Sequence, residues 1–519
     1  MKTFISTSIP YVNADPHIGH ALEFVQADVI ARWARQQGRG VFFLTGTDDN
    51  ALKNIQAAEK AGAAVKEWVD QRAENFKNLA AALNLSNDDF IRTSVEERHI
   101  KGVQKLWRAC QKDIYKKKYS GLYCVGCESF KTEKELINGE CPEHSGKKLE
   151  LVEEENYFFK LSKYQAKLLQ LIESGEFKII PESRKHEIIN FIKAGLEDFS
   201  ISRSKERAKN GSTPLTASWG IPVPGDPEQL IYVWFDALAN YINALGYAEN
   251  SEQFKNFWVN GDQRIHIVGK DINRFHTVYW PAMLLSAGVR LPSEVFVHGF
   301  ITVNGKKMSK TVGNVIDPFE LIEKYGSAHS VSSGQASSLQ VGTDAVRYYL
   351  LREIPAYEDG DFSIEKFEGR YNSDLANGIG NFAARVLTLA SSDTNIRMHT
   401  NDINNANNLE KEVETKINET REIVAEKLAE FKFNEALEAI WGLITFGDVY
   451  VNEKKPWNKE QVASDKQQVI FNLIVILDNV SGLLKPFLPA TAAKITEGIT
   501  WEGDKLKIKK IAPLFPRLT

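Results

Sequence analysis

The sequence has little cysteine and no long apolar run, and each shortage excludes a class of protein. Only 4 of its 519 residues are cysteine, too few for a disulfide framework in a chain of this length. Apolar runs such as residues 473–477 stop well short of the roughly 20 residues that span a membrane. Residues 1–6 are too short an apolar stretch for a signal peptide. We therefore expect a cytoplasmic chain without membrane segments.

Neither sign of charge dominates the chain. It carries 64 Lys+Arg against 68 Asp+Glu, for a net charge of −4, whereas a protein that coats nucleic acid is usually basic. Any nucleic acid partner would have to be met by local patches. Hydrophobic residues at 43% and charged residues at 25% are typical of globular proteins and exclude a disordered or collagen-like chain. The length exceeds what one hydrophobic core supports, so several domains are expected.

The N-terminal region has the pattern of a parallel α/β sheet. A β-favouring segment at 3–8 is followed by Asp15-Pro16, a typical helix start, and by helical spacing from 17 to about 36. An apolar run at 41–44 predicts a buried strand, which completes a βαβ unit. Further strands are predicted at 231–234, 266–269 and 295–298.

Two histidines stand at the predicted start of the first helix, in His17-Ile18-Gly19-His20. They are three residues apart, so both lie on one face of the first turn. A helix N-terminus attracts phosphate, and imidazoles placed there can donate to phosphoryl oxygens. Gly19 would leave room for a ligand to approach the backbone. Taken alone, the pattern fits two surface histidines equally well.

A second motif, Lys307-Met308-Ser309-Lys310-Thr311, lies almost three hundred residues later. Its two lysines are three apart on a glycine-initiated loop and could hold a departing polyphosphate. By itself this pentapeptide is typical of a solvated basic turn. The two motifs together resemble the histidine signature and lysine loop of the class I aminoacyl-tRNA synthetases. Thr311 replaces the family's usual serine and keeps its hydroxyl group.

Four further segments narrow the resemblance to the methionyl-tRNA synthetase family, over nearly the whole chain. They are Ile9-Pro10-Tyr11-Val12-Asn13, Gly46-Thr47-Asp48, the segment from Trp234 to Tyr241, and Gly269-Lys270-Asp271-Ile272 with Phe275-His276. The segment 115–225 is too short for the editing domain of the related leucine, isoleucine and valine enzymes. Leu238 replaces a frequent proline of the family, and Asn50-Ala51 replace a frequent His-Gly pair.

The resemblance implies an amino-acid pocket formed by Ile9, Tyr11, Asp48, Trp234, Tyr241, Ile272 and His276. An aspartate can pair with the substrate ammonium, and aromatic rings give a thioether the contact it favours. For Trp234 and Ile272, ordinary core packing is the alternative. By the same resemblance, ATP would bind at His17, Gly19, His20, His298, Gly299, Lys307 and Lys310. The catalytic side chains among them would be His17, His20, Lys307 and Lys310.

Three cysteines and one histidine have the spacing of a zinc site. Cys124 and Cys127 form a C-x2-C hook, and Cys141 and His144 form a C-x2-H hook. We predict that these four bind one structural Zn²⁺, the alternative being buried thiols without metal. Cys110 is predicted to be a core residue.

In the C-terminal region the resemblance assigns recognition of the tRNA anticodon to Asn381, Arg385 and Trp457. Asn381 and Arg385 are four residues apart and share a helix face. Unpaired bases are recognised by stacking on aromatic or guanidinium planes and by hydrogen bonds to their edges. The alternative is that Trp457 packs between helices and Arg385 pairs with an acid.

The predicted fold class is an α/β Rossmann-like parallel-sheet catalytic domain with an inserted zinc-knuckle connective domain, followed by an all-α helical-bundle anticodon-binding domain. The catalytic halves are placed at 1–114 and 228–315, the insertion at 115–227, a stem-contact linker at 316–370, and the helical domain at 371–519. Within the linker, the Ser-rich stretch 327–341 lacks periodicity and is expected to be a mobile loop.

The resemblance implies an enzyme that activates L-methionine with ATP and Mg²⁺ and transfers it to tRNA(Met). Two other classes stay open: a nucleotidylyltransferase of the same superfamily, which would not need Trp457, and a non-catalytic tRNA-binding paralogue, which would lose the catalytic residues. Among synthetases, the cysteine or leucine enzyme is the runner-up. The chain stops soon after 514–517, where longer relatives continue into a dimerisation domain, so we expect a monomer.

Overall fold

A computed structural model describes residues 1–124, 129–131, 136–142, 146, 148–205, 219–308, 313–327, 335–392, 409–458, 461–502 and 505–518. The chain divides into two compact units. The first comprises Met1–Pro16, Ala34–Ala80 and Ser86–His298, and the second comprises His17–Trp33, Ala81–Leu85 and Gly299–Thr519.

Strands in the described residues are β1 (Lys2–Thr7), β2 (Gly40–Thr47), β3 (Asp89–Arg92), β4 (Ile114–Cys124), β5 (Ser129–Lys131), β6 (Glu150–Phe159), β7 (Lys178–Ile180), β8 (Phe199–Ser200), β9 (Ser202–Ser204), β10 (Pro222–Val223), β11 (Asp226–Ile231), β12 (Gln263–Gly269), β13 (Glu294–His298), β14 (Ile301–Val303), β15 (Lys306–Lys307), β16 (Gly360–Phe362), β17 (Ile499–Glu502) and β18 (Lys505–Ile508).

The α-helices in the same residues are α1 (Ile18–Gln36), α2 (Leu52–Lys60), α3 (Val65–Ala82), α4 (Glu97–Ala109), α5 (Gln165–Glu173), α6 (Glu182–Lys193), α7 (Val233–Leu238), α8 (Asn240–Asn243), α9 (Trp280–Ala287), α10 (Pro318–Ser327), α11 (Gln335–Arg352), α12 (Ile364–Arg370), α13 (Asn381–Ser392), α14 (Lys411–Ala429), α15 (Phe433–Lys454), α16 (Ala463–Leu484) and α17 (Pro489–Gly498). Short 3₁₀ turns occupy Gln111–Asp113, Leu161–Tyr164 and Lys270–Ile272, and π-helical segments occupy Phe254–Val259, Phe275–Tyr279 and Tyr371–Gly380.

The first unit is organised by a six-stranded parallel sheet in the order β3-β2-β1-β12-β13-β7. Successive residues of β1, such as Phe4 and Ile5, point to opposite faces and are both buried, as in parallel sheets that are covered on both sides. β1 pairs with β2 on one side and with β12 on the other, so the strand order reverses there. Ligands of open α/β sheets bind beyond the carboxyl ends of the strands at such a point.

The strands predicted at 3–8, 41–44, 266–269 and 295–298 are confirmed as β1, β2, β12 and β13. The strand predicted at 231–234 is wrong, because β11 ends at Ile231 and helix α7 begins at Val233. A short, fully buried apolar run has the same composition in a strand and in a helix, so periodicity could not separate them.

The segment predicted as an insertion, 115–227, contains two antiparallel sheets, ordered β5-β4-β6-β8 and β10-β11-β9. The longest pairing joins β4 to β6, from Ile114 opposite Phe159 to Tyr123 opposite Glu150. One part of the segment is not inserted: β7 pairs in parallel with β13 at the edge of the central sheet. A strand of three residues is too short to be recognised from its sequence pattern.

Helix α1 begins two residues later than Asp15-Pro16 predicts. The Asp15 carboxylate does not cap the helix; it binds Arg72 at 3.0 Å and accepts a hydrogen bond from the Asn75 amide at 2.7 Å. The first helical hydrogen bond instead runs from the Ala21 N–H to the His17 carbonyl. His17 is therefore the N-cap residue of α1.

The Ser-rich loop predicted at 327–341 is wrong for its second half, because α11 begins at Gln335; residues 328–334 lie outside the described residues. Helix α11 packs closely against α10, since a Cβ atom on Gly342 would lie only 1.9 Å from the Ile322 carbonyl oxygen. Val341 is buried. Tertiary packing thus makes this serine-rich segment helical in spite of its weak propensity.

The C-terminal region is helical from α13 to α17, as predicted, but it is not all-α. Strands β17 and β18 form an antiparallel hairpin in which Ile499 faces Ile508 and Trp501 faces Leu506. In the described residues one stretch, Ser464–Leu484 in α16, is long and apolar enough to cross a membrane. It is 67% buried inside the protein, which is typical of a core helix.

Candidate functional site

Two residues of the predicted amino-acid pocket follow the carboxyl ends of neighbouring strands in the first unit. Tyr11 comes four residues after β1, and Asp48 directly follows β2. A parallel backbone bridge pairs these two residues, and the Asp48 N–H donates to the Pro10 carbonyl at 2.9 Å. The main chain therefore holds the buried Asp48 next to Tyr11.

Aromatic rings meet at the same place. The ring of Trp234, on α7, stacks on Phe275 with centroids 3.6 Å apart and planes inclined by 6°. Tyr11 contacts Trp234 edge-on at 6.2 Å between centroids. Phe275 had no predicted role, and its only signal in the sequence is its position before His276 in the Phe-His segment. The three rings offer the polarisable surface that a thioether favours.

Tyr241 and His276 form a buried polar pair. The Tyr241 hydroxyl lies 2.6 Å from His276 Nε2, and Nδ1 of the same ring lies 3.0 Å from the Ile272 carbonyl. Because a carbonyl only accepts, Nδ1 carries the proton in the neutral ring and the tyrosine hydroxyl donates to Nε2. The structure thus brings together six of the seven predicted pocket residues through these contacts. The seventh, Ile9, is half-buried and precedes Tyr11 by two residues.

In the second unit, His17 and His20 form a reciprocal cap at the start of α1. The Gly19 N–H donates to His17 Nδ1 at 3.1 Å, and the His17 N–H donates to His20 Nδ1 at 3.1 Å. This is a capping box built from two imidazoles, which stack with centroids 3.9 Å apart. Since each Nδ1 accepts, each neutral ring carries its proton on Nε2.

Burial and the neighbouring His17 lower the pKa of His20 well below its usual 6.5, so this ring is neutral at physiological pH. A Cβ atom on Gly19 would lie 2.9 Å from His17 Cε1, so the absent side chain also makes room for the histidine ring. The same point lies 3.5 Å from Met308 Cε, which brings the lysine loop to the start of α1.

The lysine loop begins with a tight hairpin between β14 and β15. Asn304 and Gly305 both have positive φ, at 53° and 69°, as a two-residue type I′ turn requires. Asp361 anchors this turn by accepting from the Gly305 N–H at 2.8 Å and from the Thr302 hydroxyl at 2.7 Å. Those hydrogen bonds lower the pKa of the Asp361 carboxyl. Lys307 ends β15, whereas Lys310 lies outside the described residues.

Two of the residues assigned to ATP by resemblance lie at the carboxyl end of β13, which His298 ends and Gly299 follows. His298 is buried in the first unit, with its ring near Gly269 at the end of β12. In the second unit, a Cβ atom on Gly299 would lie 2.2 Å from the Glu358 carbonyl oxygen. Only glycine fits at that position.

The predicted zinc ligands are only partly described. Cys124, at the end of β4, and Cys141 are both buried, while Cys127 and His144 lie outside the described residues. Among the residues that the structure describes, no three of His, Cys, Asp and Glu form a metal cluster. Cys110 is confirmed as a core residue, and burial raises the pKa of its thiol to about 12.

The predicted anticodon residues lie in the second unit. The Arg385 guanidinium lies over the Trp457 ring at 5.1 Å, and it donates to the Asn452 amide oxygen at 2.6 Å. Trp457 is 48% exposed, so the alternative of a tryptophan packed between helices is wrong. The other half of that alternative is confirmed, because the Arg385 guanidinium lies 3.9 Å from the Asp448 carboxylate. Asn381 is exposed at the start of α13, one helical turn before Arg385.

Two family models match successive parts of the chain. The family model "tRNA synthetases class I (M)" matches residues 3–387, and "Anticodon-binding domain of tRNA ligase" matches residues 410–514. The methionine–tRNA ligase of Caldanaerobacter subterraneus subsp. tengcongensis is 42% identical over 100% of this chain and 79% of its own length. That of Thermotoga maritima is 40% identical over 98% of this chain and 76% of its own.

A solved structure of Mycobacterium tuberculosis methionyl-tRNA synthetase in complex with methionyl-adenylate has a TM-score of 0.86 to this chain. It is 35% identical and covers 99% of this chain and 100% of its own. Full-length similarity at this level, together with both matched domains, identifies the family. The chain belongs to the class I methionyl-tRNA synthetases, the methionine–tRNA ligases.

Proposed function

We propose how this methionine–tRNA ligase uses the residues described above. In the first step the methionine carboxylate attacks the α-phosphorus of ATP, which forms the mixed anhydride methionyl-adenylate and releases pyrophosphate. In the second step the 2′-hydroxyl of the terminal ribose of tRNA(Met) attacks the carbonyl carbon. An ester forms, the hydroxyl proton is lost, and AMP leaves.

The observation that carries the assignment is a buried carboxylate beside aromatic rings at the strand ends. Asp48 pairs with the substrate ammonium, since a carboxylate is the group that a cationic ammonium favours. Tyr11 and Trp234 contact the thioether, and the ring of Tyr241, fixed by its hydrogen bond to His276, lies beside them. Ile9 and Ile272 complete the apolar wall. The aromatic contacts to sulfur matter for specificity, because an apolar wall alone distinguishes side chains by only about 1–3 kcal/mol per methylene.

The phosphoryl chemistry needs no covalent nucleophile from the protein. His17 and His20 present Nε2–H donors to the oxygens that gain charge on the α-phosphate. Lys307 and Lys310 hold the departing pyrophosphate, whose charge Mg²⁺ also neutralises. His298 and Gly299 receive the adenosine. Positioning and electrostatic stabilisation account for the rate.

Amino-acid-dependent ATP–pyrophosphate exchange tests the first step. The purified full-length chain is assayed with methionine, leucine, isoleucine, valine, cysteine and homocysteine. We expect methionine to give the highest kcat/KM, with leucine at least about 100-fold lower because it lacks the sulfur contacts. Exchange with none of these amino acids, from a folded sample, would contradict the proposed activation step.

We also infer a structural zinc ion held by Cys124, Cys127, Cys141 and His144. Cys124 and Cys141 are buried and neither is in a disulfide, which suits thiolate ligands. Zinc would cross-link the turns of the connective region and take no part in the chemistry. Elemental analysis should find about one zinc per chain and much less in Cys124→Ser. An unchanged zinc content in that variant would contradict the ligand assignment.

The exposed Trp457 and the Arg385 plane beneath it support binding of an unpaired anticodon base, with Asn381 at its edge. Trp457→Ala should lower kcat/KM for tRNA(Met) by about 5- to 150-fold, since base stacking contributes about 1–3 kcal/mol. Aminoacylation assays measure this, and ATP–pyrophosphate exchange without tRNA should stay unchanged. Trp457→Phe, which keeps an aromatic plane, is the matched control. An equal loss of exchange would contradict a role confined to tRNA.

The predicted domain boundaries at residues 114, 227, 315 and 370 stay a proposal, except that β7 belongs to the central sheet and not to the insertion. The monomeric state and the cytoplasmic location also stay predictions. Sedimentation velocity at micromolar concentration tests the first of these, and a stable dimer would contradict it.

A further inference from the structure

A buried chain of hydrogen bonds leads to Asp48 from helix α4. His99 on α4 and Asp236 on α7 are completely buried, and His99 Nε2 lies 2.5 Å from Asp236 Oδ1. The other oxygen of Asp236 accepts from the Asn50 side-chain amide at 2.7 Å. Neither His99 nor Asp236 belongs to the predicted pocket.

The position of the His99 proton in this hydrogen-bond chain follows from the donors and acceptors around the ring. The Asn243 amide nitrogen lies 3.3 Å from His99 Nδ1 and 3.2 Å from the His99 carbonyl oxygen. An amide nitrogen only donates, so Nδ1 accepts and the proton of the neutral imidazole is on Nε2. Asp236 therefore receives an N–H donor on each of its two oxygens.

The hydrogen-bond chain ends on Asp48, the carboxylate that the proposed function assigns to the substrate ammonium. Asn50 donates its side-chain amide to Asp236 and also to the Thr93 carbonyl at 3.3 Å. With its side chain fixed in this way, the Asn50 main-chain N–H donates to Asp48 Oδ1 at 3.2 Å. Asn54 holds the Asp48 carbonyl from the opposite direction at 2.8 Å. Asn50 is also where the sequence departs from the family pattern.

Helices α4 and α8 lie very close together where the hydrogen-bond chain begins. A Cβ atom on Gly102 of α4 would lie 1.9 Å from the Asn243 amide oxygen, so α4 and α8 approach as closely as glycine allows. His99 is therefore held between Asn243 and Asp236 in a site without spare volume.

We propose that His99 and Asp236 are positioning residues for methionine activation. Through Asn50 they set the orientation of the Asp48 carboxylate and so the strength of its contact with the substrate ammonium. This inference rests on the proposed role of Asp48. It predicts that a substitution in the hydrogen-bond chain weakens the recognition of the substrate ammonium alone, whereas a general packing defect weakens every contact in the pocket.

The test compares methionine with 4-methylthiobutyrate, which has the same thioether and carboxylate but no ammonium. In His99→Phe, methionine binding should weaken by about 10- to 100-fold, the effect of losing a hydrogen bond to a charged group. Inhibition by 4-methylthiobutyrate and the KM for ATP should change by less than about twofold. His99→Gln, which can still donate to Asp236, should restore most of the methionine affinity, and His186→Phe on the exposed face of α6 is the control.

Three outcomes separate the possible failures. Equal weakening of methionine and 4-methylthiobutyrate in His99→Phe would overturn the proposal, and so would no weakening of either. The reference variant is Asp48→Asn: if it does not weaken methionine relative to the analogue, the proposed role of Asp48 itself is wrong. If His99→Phe does not fold, Asp236→Asn, which replaces one acceptor oxygen by a donor, gives the same comparison.

Discussion

His20→Gln should lower the rate of ATP–pyrophosphate exchange by about 100- to 1,000-fold, the effect of removing one preorganised donor from a charged transition state. The proposed function gives His20 two separable tasks. Its Nδ1 accepts the His17 N–H and caps α1, while its Nε2–H is assigned to a phosphoryl oxygen of ATP. Glutamine at the third helical position can still accept the capping hydrogen bond. It does not keep a donor at the position of Nε2.

Comparison with His20→Ala separates catalysis from capping. Alanine removes both tasks, so we expect the same loss of exchange together with about 1 kcal/mol less stability at the start of α1. Thermal unfolding of both variants measures the second effect. Exchange within a few-fold of the wild-type rate in His20→Gln would mean that the Nε2–H does not act on ATP.

Arg347→Met should destabilise the second unit by about 3–5 kcal/mol, because it removes one of the two arginines that contact the buried Asp28 carboxylate and leaves three buried main-chain carbonyls without their donor. Arg347 on α11 is completely buried and binds Asp28 of α1 at 2.8 Å. The same guanidinium donates to three main-chain carbonyls, those of Leu83, Pro486 and Phe487, at 2.7–3.0 Å. One side chain thus joins the helix with the histidine signature to the segment between α16 and α17.

Native-state hydrogen exchange of the α11 amides measures this loss as a local free energy of opening, which avoids assuming two-state unfolding in a chain of several domains. Arg352→Met is the matched control on the same helix. Its side chain is partly exposed and lies 4.0 Å from Glu438, so about 0–1 kcal/mol is expected. If Arg347→Met and Arg352→Met had equal effects, burial would not be the reason for the contribution of the Arg347–Asp28 pair to stability.

Burial lowers the pKa of the Arg347 guanidinium from its usual value, and Asp28 opposes this shift. Removing Asp28 as well should therefore recover part of the lost stability. Asp28→Leu combined with Arg347→Met replaces two buried charges by apolar side chains, and such pairs are often as stable as the original, although Arg32 also loses its contact with Asp28 at 2.7 Å. No recovery in the double variant would show that the carbonyl contacts of Arg347 and the Arg32–Asp28 contact together contribute more than the Arg347–Asp28 pair.

Local patterns were sufficient where a motif lies at the end of a strand. Asp48 comes shortly after one predicted strand and His298 ends another. Their place at the carboxyl ends of the strands could therefore be predicted. Local patterns did not predict the helix that begins at Val233, the helix that begins at Gln335 or the hairpin of β17 and β18. There, burial or a partner strand decides the local structure, and neither is visible in a single segment.

The side chains proposed for methionine and ATP could be named from the sequence itself, because a carboxylate, aromatic rings, a histidine motif and a lysine motif are properties of the residues. Tertiary structure alone decided how those groups are held. The capping box of His17 and His20, the hydrogen-bond chain from His99 to Asp48, and the burial of Arg347 each depend on groups whose donors and acceptors meet only after folding. Since a hydrogen bond depends on distance and direction, and a buried charge on what surrounds it, residue order could name these side chains but not their partners.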